Sequence, residues 1–255
     1  MSEKLRIVPL GGLGEVGKNM TVFEYGDEIL IIDAGIMFPE NDMLGIDYII
    51  PDYRYIMDKR EKIKAVLITH GHEDHVGALP HLMADIDAPI YATPLTAGLI
   101  ELKLREAGLR DTVIKTIQPG FNFRIGQFNI EPFHVTHSIP DCVGFGITTP
   151  VGLVVHTGDY KFDHTPVDGR PSDFAKLAEL GGKGVLLLLS DSTNAEKPGY
   201  TPSEQAVGET LSRVFATAKG RIIVATFASN ISRVQQVIDT AQEYGRHVAV
   251  VGRSM

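Results

Sequence analysis

The stretch Thr69-His70-Gly71-His72-Glu73-Asp74-His75 directly follows an apolar run over residues 63–68. An apolar run of this length bounded by polar residues predicts a buried strand. Each imidazole at the end of a buried strand needs partners for both ring nitrogens. A solvated polar turn would account for one histidine there. Three histidines and an aspartate within six residues instead favour a site for divalent metal, and their spacing suits two adjacent ions better than one.

The composition is that of an ordinary globular protein, with 255 residues, 44% of them hydrophobic and 22% charged. This length is enough for one large domain or for a domain with a smaller unit. The single cysteine, Cys142, excludes an internal disulfide and a cysteine-rich zinc site. A net charge of −8 argues against a general polyanion-binding surface, although bound dications would add positive charge where a phosphate must sit.

Residues 1–6 lack the basic and then apolar order of a signal peptide. No apolar run approaches the roughly 18 residues that a membrane span needs. The sequence therefore predicts a cytoplasmic protein with no membrane partner.

The glycine-rich stretch GGLGEVGKN at residues 11–19 formally matches the dinucleotide-binding fingerprint. That fingerprint requires a following helix whose amino terminus faces the pyrophosphate. The residues that follow, 20–25 and 28–33, are β-branched and apolar and are joined by a Gly26-Asp27 turn, which predicts a hairpin. We therefore expect a glycine loop between antiparallel strands and no nucleotide cofactor.

Polar side chains also follow other predicted strands. Asp33 ends the hairpin, where it could orient the metal loop or cap its own turn, and the spacing favours neither. His134 and His137 are three apart and so face opposite sides of a strand. His137, at the strand end, is the predicted ligand, whereas His134 is expected to be satisfied within its strand. Asp159 ends a further strand and could bridge two metal ions, with His156 a weaker ligand candidate.

The periodicity also predicts an amphipathic helix over residues 48–62 and further helices over 76–84 and 94–107. The helix over 76–84 would carry His81 on its surface. A last strand, 185–189, ends in the polar cluster that contains Asp191. From residue 201 the pattern changes to a β-α-β unit, which implies a parallel sheet. Its elements are a helix to about residue 219, strands over 221–226 and 247–251, and a helix over 231–244 capped by Ser229 and Asn230.

Together, Asp33, THGHEDH (69–75), His137, HTGDYK (156–161) and SDSTN (190–194) resemble the metallo-β-lactamase superfamily, and within it the β-CASP nucleases. The resemblance covers essentially the whole chain. It implies an α/β fold, a metallo-β-lactamase αββα sandwich that is incomplete here, followed by the start of an inserted α/β β-CASP domain. Residues 1–200 would form the first part of the metallo-β-lactamase domain and residues 201–255 the beginning of the β-CASP domain.

The resemblance implies hydrolysis of RNA phosphodiester bonds by a two-metal mechanism. Members of the family are 5′-to-3′ exonucleases that favour a 5′-monophosphate, and also endonucleases, acting in RNA maturation and decay. RNA is thus the expected partner, and a homo-oligomer the expected full-length form. Two divalent ions are the expected cofactors, zinc first and manganese as the alternative, because histidine and carboxylate ligands suit both.

The family's functional residues carry over position by position. One metal site is matched by His70, His72 and His137, the second by Asp74 and His75, and the bridging ligand by Asp159. Asp33 matches the acid beneath the metal loop, and Asp191 matches the first acidic motif of the β-CASP domain, near the metals. The expected catalytic residues are Asp74, Asp159 and Asp191.

Ser229, Asn230 and Arg233 lie at a predicted helix amino terminus, where they could contact phosphate or base. An ordinary helix cap with a surface arginine explains the same residues equally well.

The family's β-CASP domain is longer, and a return segment after it supplies a last metal histidine, a 5′-phosphate pocket and a general-acid histidine. Past residue 164 this sequence has only His247, inside an apolar strand. We therefore expect these residues alone to expose apolar strand edges and to be weakly active or inactive, the rest coming from another chain or from further residues. Two alternatives are a non-catalytic RNA-binding subunit and a small-molecule hydrolase, the latter disfavoured by the β-α-β unit.

Overall fold

Two β-sheets form the centre of the fold in the computed structural model, which describes residues 3–252. The first sheet has the order β1 (Leu5–Gly11), β2 (Met20–Tyr25), β3 (Glu28–Ile32), β4 (Ile63–Leu67), β5 (Ile90–Ala92) and β6 (Ile114–Thr116). The second has the order β11 (Val185–Leu189), β10 (Gly152–His156), β9 (Val143–Thr149), β8 (Phe128–His134) and β7 (Phe123–Ile125).

Seven α-helices surround or follow these sheets in the described residues. They are α1 (Arg54–Met57), α2 (Glu73–Val76), α3 (Leu79–Asp85), α4 (Pro94–Glu106), α5 (Phe174–Gly182), α6 (Glu204–Thr217) and α7 (Ile231–Glu243). A 3-10 turn spans Arg60–Lys62. None of the helices in the described part of the chain has the length and apolarity needed to cross a membrane.

Strand β3 shows how the layers are built, because its side chains alternate between two cores. Ile29 and Ile31 pack against the helix layer of α3 and α4. Leu30 and Ile32 point the other way and pack between the sheets, against residues such as Phe145 of β9. A third core covers the outer face of the second sheet with α5. The predicted αββα sandwich is therefore confirmed.

The strand directions bring the polar ends of several strands to one edge of the sandwich. β3 and β4 are parallel neighbours, as are β10 and β11. β8 runs antiparallel to β9, which runs antiparallel to β10, so β8 and β10 end on the same side. Asp33, the 69–75 loop, His137, Asp159 and Asp191 all follow strands that end at this edge.

The hairpin predicted after the glycine stretch is also confirmed. β1 pairs with β2 and β2 with β3, both antiparallel. Residues 12–19 form a loop that leads into a strand and not into a helix. Gly12, Gly14 and Gly17 all have positive φ in this loop, a conformation that glycine adopts at little cost.

Three predicted elements are wrong. The helix over 48–62 is reduced to α1 and the 3-10 turn, because Ile49 pairs in extended conformation with Met37 and Pro51 disfavours a helical residue before it. The strands over 221–226 and 247–251 are not formed, since neither segment has a hydrogen-bonded partner strand in the described residues. Helices α6 and α7 are the regular elements seen after residue 200, and the boundary placed there stays a prediction.

Candidate metal centre

Three imidazoles converge where the first metal site was predicted. His70 Nε2 lies 3.1 Å from His72 Nδ1, and His137 Nε2 lies 3.2 Å from the same atom. The first two histidines come from the loop between β4 and α2, and His137 comes from the loop after β8. Two histidine nitrogens on one tetrahedral zinc would be about 3.3 Å apart at ordinary zinc–nitrogen distances, so this spacing fits a shared ion.

A second group of donors adjoins the first. The ligand atoms of His70, His75 and Asp159 lie within 4.8 Å of one another. His75 Nε2 is 3.3 Å from Asp159 Oδ1 and 3.6 Å from Asp74 Oδ2. The other carboxylate oxygen of Asp159 is 3.8 Å from His137 Nε2. Asp159 therefore presents one oxygen to each group, the arrangement that a bridging ligand needs.

The remote nitrogens of two of these histidines are already engaged as donors. His75 Nδ1 donates to Asp33 Oδ2 over 2.8 Å, and His72 Nε2 donates to the backbone carbonyl of Ser229 over 3.2 Å. Their other nitrogens therefore face the centre of the cluster. A histidine that ligates a metal typically donates its second N–H to a carboxylate or carbonyl in this way. The donor set thus fits divalent metal.

Asp33 lies beneath the cluster and is 1% exposed. Its carboxylate accepts from the Thr69 backbone N–H (2.8 Å) and from the Thr69 hydroxyl (2.9 Å), besides His75. Its φ of 62° is left-handed, a conformation in which aspartate is less disfavoured than most residues. These contacts join Asp33 to the metal loop and not to its own turn, and its orienting role stays a prediction.

Burial and charge divide the histidines into two kinds. Burial and the neighbouring imidazoles lower the pKa of His70, and burial lowers the pKa of His137 to about 4. Burial also opposes the charge of His75, but the carboxylates of Asp33 and Asp159 outweigh it and raise that pKa. Burial would raise the pKa of Asp159, yet the hydrogen bond from His75 and the nearby imidazoles hold it at about 2. A dication bound here would therefore displace a proton from His75.

Asp191 lines the same cleft, of about 760 Å³, as Asp74, His75 and Asp159. Its carboxylate accepts from the backbone N–H groups of Thr193 (2.7 Å) and Tyr160 (3.4 Å). The residue after Asp159 thus holds Asp191 in place. The structure places this acid in the cleft that the second donor group lines, and its catalytic role stays a prediction.

The three residues suggested for substrate contact hold the start of α7 in place. Asn230 caps the helix by accepting from the Arg233 backbone N–H over 3.0 Å. The Arg233 guanidinium pairs with Glu204 over 2.6 Å, and Lys161 pairs with the same carboxylate over 3.0 Å. Ser229 contacts the cluster through its carbonyl, as described above. These are structural contacts, and a role in substrate binding stays a prediction.

Two other histidines near the cluster make hydrogen bonds to backbone groups. His134 Nε2 donates to the Arg170 carbonyl over 3.0 Å, while its Nδ1 is without a partner among the described residues. His156 Nδ1 accepts from the Gly158 N–H over 3.1 Å. Neither belongs to the candidate metal groups of the described residues.

Two further residues at the cluster, Asn19 and Thr69, have side chains that no sequence pattern marks as functional. The Asn19 amide lies 3.1 Å from the Asp74 carbonyl and 3.2 Å from His75 Nε2. Thr69 contacts Asp33 and His70 through its hydroxyl. Both residues belong to motifs, Asn19 as the last residue of GGLGEVGKN and Thr69 as the first residue of THGHEDH, so their position in a motif was the available signal.

Comparison with known proteins assigns this chain to a family. A family described as "Metallo-beta-lactamase superfamily" matches residues 13–184, and one described as "Ribonuclease J, beta-CASP domain" matches residues 219–255. The chain belongs to the metallo-β-lactamase superfamily. A crystal structure of a protein of unknown function from Enterococcus faecalis V583 agrees in fold, with a TM-score of 0.67 at 16% identity over 99% of this chain and 71% of that one.

Within the superfamily the chain is similar to ribonuclease J. It is 51% identical to ribonuclease J of Thermus thermophilus, with 99% of this chain and 46% of the relative covered. Identity to ribonuclease J of Synechocystis sp. is also 51%, covering 100% of this chain and 40% of the relative. The motifs GGLGEVGKN (11–19), HVTHSIPD (134–141), HTGDYKFD (156–163) and TFASNISR (226–233) predict this closer match, and it is confirmed. The chain spans less than half the length of these two relatives.

Proposed function

We propose that this chain forms the metal-binding part of a ribonuclease that hydrolyses RNA phosphodiester bonds with two divalent ions. The observation that carries the proposal is the convergence of histidine nitrogens 3.1 and 3.2 Å apart on a point that Asp159 also faces. The similarity to ribonuclease J supplies the substrate class.

His70, His72 and His137 would hold one ion and Asp74 and His75 the other, with Asp159 between them. Zinc is the first candidate and manganese the second. Bound there, the ions supply Lewis acidity, which lowers the pKa of a water and stabilises negative charge at phosphorus.

The protein's own groups prepare this site electrostatically. Asp74, Asp159 and Asp191 face one cleft, and without dications their carboxylates would repel an RNA phosphate. Four positive charges from two ions would reverse that repulsion. The glycine loop and the end of β11 border the cleft and leave it wide enough for a nucleotide unit. We assign Asp74, Asp159 and Asp191 as the catalytic carboxylates.

The ribonuclease J relatives are more than twice as long as this chain. Several further properties are proposed for a protein of that full length. They are 5′-to-3′ exonuclease activity that favours a 5′-monophosphate, endonuclease activity, a role in cytoplasmic RNA maturation and decay, and assembly as a homo-oligomer. The similarity to ribonuclease J supports them. A small-molecule hydrolase is disfavoured because residues 219–255 match a β-CASP domain.

The test combines metal analysis with RNA turnover. Metal per chain is measured by mass spectrometry, and end-labelled 5′-monophosphorylated RNA is incubated with and without chelator. His72→Ala should lose metal and turnover, whereas His81→Ala, whose ring contacts Tyr48 away from the cluster, should retain both.

Chelator-sensitive release of mononucleotides supports the exonuclease. RNA binding by a chain that takes up no divalent metal would favour the non-catalytic subunit and contradict the proposal. Two tightly bound ions with a full exonuclease rate would contradict the narrower expectation that these residues alone are impaired.

A further inference from the structure

We infer that the Thr69 hydroxyl is a positioning group that links the buried Asp33 carboxylate to His70, so that one carboxylate sets the ring tautomer of a histidine in each metal group. The inference rests on the proposed metal site for its consequence, but its geometry belongs to the protein alone. Asp33 reaches His75 directly and His70 through Thr69.

The direction of the hydrogen bonds follows from counting protons. Thr69 Oγ1 lies 2.9 Å from Asp33 Oδ2 and 3.0 Å from His70 Nδ1. A hydroxyl has one proton to donate, and an ionised carboxylate can only accept. Donation to His70 would leave two acceptor oxygens facing each other at 2.9 Å in a buried site. The hydroxyl therefore donates to Asp33 and accepts from His70 Nδ1–H.

This assignment fixes which nitrogen of His70 is free. With its proton on Nδ1, His70 turns the lone pair of Nε2 toward His72 Nδ1, 3.1 Å away. His72 Nδ1 also carries a lone pair, because His72 donates to Ser229 through Nε2–H, and a dication at the proposed first site would satisfy both nitrogens. Asp33, Thr69, His70 and His75 are all buried, so solvent is excluded as a substitute partner. Without the hydroxyl, the neutral imidazole has no fixed preference at Nδ1.

Thr69→Val isolates the hydroxyl. The variant keeps the branched shape of the side chain, and the Thr69 backbone N–H that donates to Asp33 Oδ1 over 2.8 Å is unchanged. Thr69→Ser restores a hydroxyl and tests rescue. Thr96→Val is the matched control, because Thr96 is equally buried but its hydroxyl contacts Thr93 and no histidine.

The first readout is the tautomer of His70 in metal-free protein, from long-range proton–nitrogen correlation spectra of ¹⁵N-histidine-labelled protein. Loss of a signal in His70→Asn assigns it. Wild type, Thr69→Ser and Thr96→Val should show the Nδ1–H tautomer, and Thr69→Val should gain the Nε2–H form. An Nε2–H tautomer in wild type, or no change in Thr69→Val, overturns the inference.

The second readout is zinc affinity by competition with a chromophoric chelator. Loss of a group that orients a metal ligand costs about 10- to 100-fold in affinity. The zinc affinity of Thr69→Val should be lower than that of wild type by a factor in that range, and the affinity of Thr69→Ser should stay within about threefold of wild type. A response of the tautomer in a protein that neither binds nor cleaves RNA refutes the proposed function alone. RNA cleavage by a protein whose His70 tautomer is the same in wild type and in Thr69→Val refutes this inference alone.

Discussion

Asp33 combines a left-handed backbone with an almost completely buried carboxylate. A non-glycine residue in this conformation costs about 1–2 kcal/mol. The hydrogen bonds from Thr69 and His75 hold it there. Each bond also orients a part of the metal loop, so the strain is maintained by the contacts that prepare the site.

Asp33→Asn should separate charge from shape, because asparagine also tolerates the left-handed conformation. The amide loses one acceptor and the negative charge that faces His75. We expect metal affinity to fall about 10- to 100-fold and the free energy of unfolding to fall by about 1–3 kcal/mol. Calorimetric metal titration and urea unfolding measure the two effects.

Asp27→Asn is the control for that substitution. Asp27 is exposed on the turn between β2 and β3 and pairs with Lys62 at the surface. Its replacement should change stability by less than about 1 kcal/mol and leave metal affinity unchanged. Equal metal affinity in both variants would refute the orienting role of Asp33.

Gly35 is required by close approach and not by backbone conformation. A Cβ at this position would overlap the carbonyl carbon and oxygen of Asp74 and the backbone nitrogen of His75. These are main-chain atoms of the metal loop, which cannot move without displacing the ligands. Gly35→Ala should lower the free energy of unfolding by about 3 kcal/mol or more.

Gly98→Ala should change the free energy of unfolding in the opposite direction to Gly35→Ala. Gly98 is exposed inside α4, and an added Cβ meets no atom within 4 Å. Alanine there should raise stability by about 0.8–1 kcal/mol through helix propensity. Thermal unfolding compares the two, and a Gly35→Ala protein as stable as wild type would show that the metal loop can shift.

At the scale of elements, a buried acid holds α5 on the second sheet. Glu131 of β8 accepts from Lys176 over 2.7 Å and from Lys183 over 3.0 Å. Burial alone would raise the pKa of Glu131, but the two lysines outweigh it and lower the pKa below 4.5. The stabilising contribution of this group is therefore fully present above about pH 4.5 and is lost as the pH falls through the lowered value.

Glu131→Gln should lose about 2 kcal/mol of unfolding free energy at pH 7, because a buried charge-assisted pair becomes neutral on one side. The difference from wild type should be constant down to about pH 5 and should close below pH 4.5. Urea unfolding across this range measures it. Glu101→Gln, at an exposed pair with Arg105, should show little effect at any pH, and a Glu131→Gln difference that grows in acid would contradict the assignment.

The same scale shows what could be read from the sequence. Strands with partners nearby in the sequence, such as the hairpin before Asp33, were predicted because alternation and turn residues specify them. The prediction of a helix over 48–62 was wrong because it relied on the spacing of apolar residues and did not take account of Pro51. The strands over 221–226 and 247–251 failed because a strand depends on a neighbour, which alternation alone does not reveal.

The ligand cluster was readable because histidine and aspartate are chemically distinctive at strand ends. The contacts that support this cluster could not be predicted from the sequence. The acceptor for His72 is a backbone carbonyl, which every residue possesses, so nothing in the letters marks Ser229 for this role. Thr69 and Asn19 have ordinary side chains whose importance arises from distance alone.

At the scale of the whole molecule, β11 forms an exposed edge of the second sheet. It pairs with β10 on one side, and no strand in residues 3–252 pairs with its other side. Leu186, Leu187 and Leu188 are 57%, 39% and 57% exposed. The expected exposed apolar edge is thus confirmed. Such an edge favours pairing with another chain.

We predict that this chain self-associates through β11 and that Leu186→Lys combined with Leu188→Lys reduces the association. Sedimentation velocity over a concentration series measures it, with circular dichroism to verify folding. Leu102→Lys, an equally exposed leucine on α4, should leave association unchanged. Equal reduction by both changes would indicate general charge repulsion and not an edge contact.

The hydrogen bond from His72 to the Ser229 carbonyl also has a consequence for synthesis, because its partners are separated by 157 residues. A ribosome that adds about 5–20 residues per second makes the acceptor roughly 8–30 s after the histidine. Until then the three-histidine cluster lacks one of its supports. Metal loading before Ser229 is made would meet a cluster without this hydrogen bond, and later loading would meet a cluster that has it.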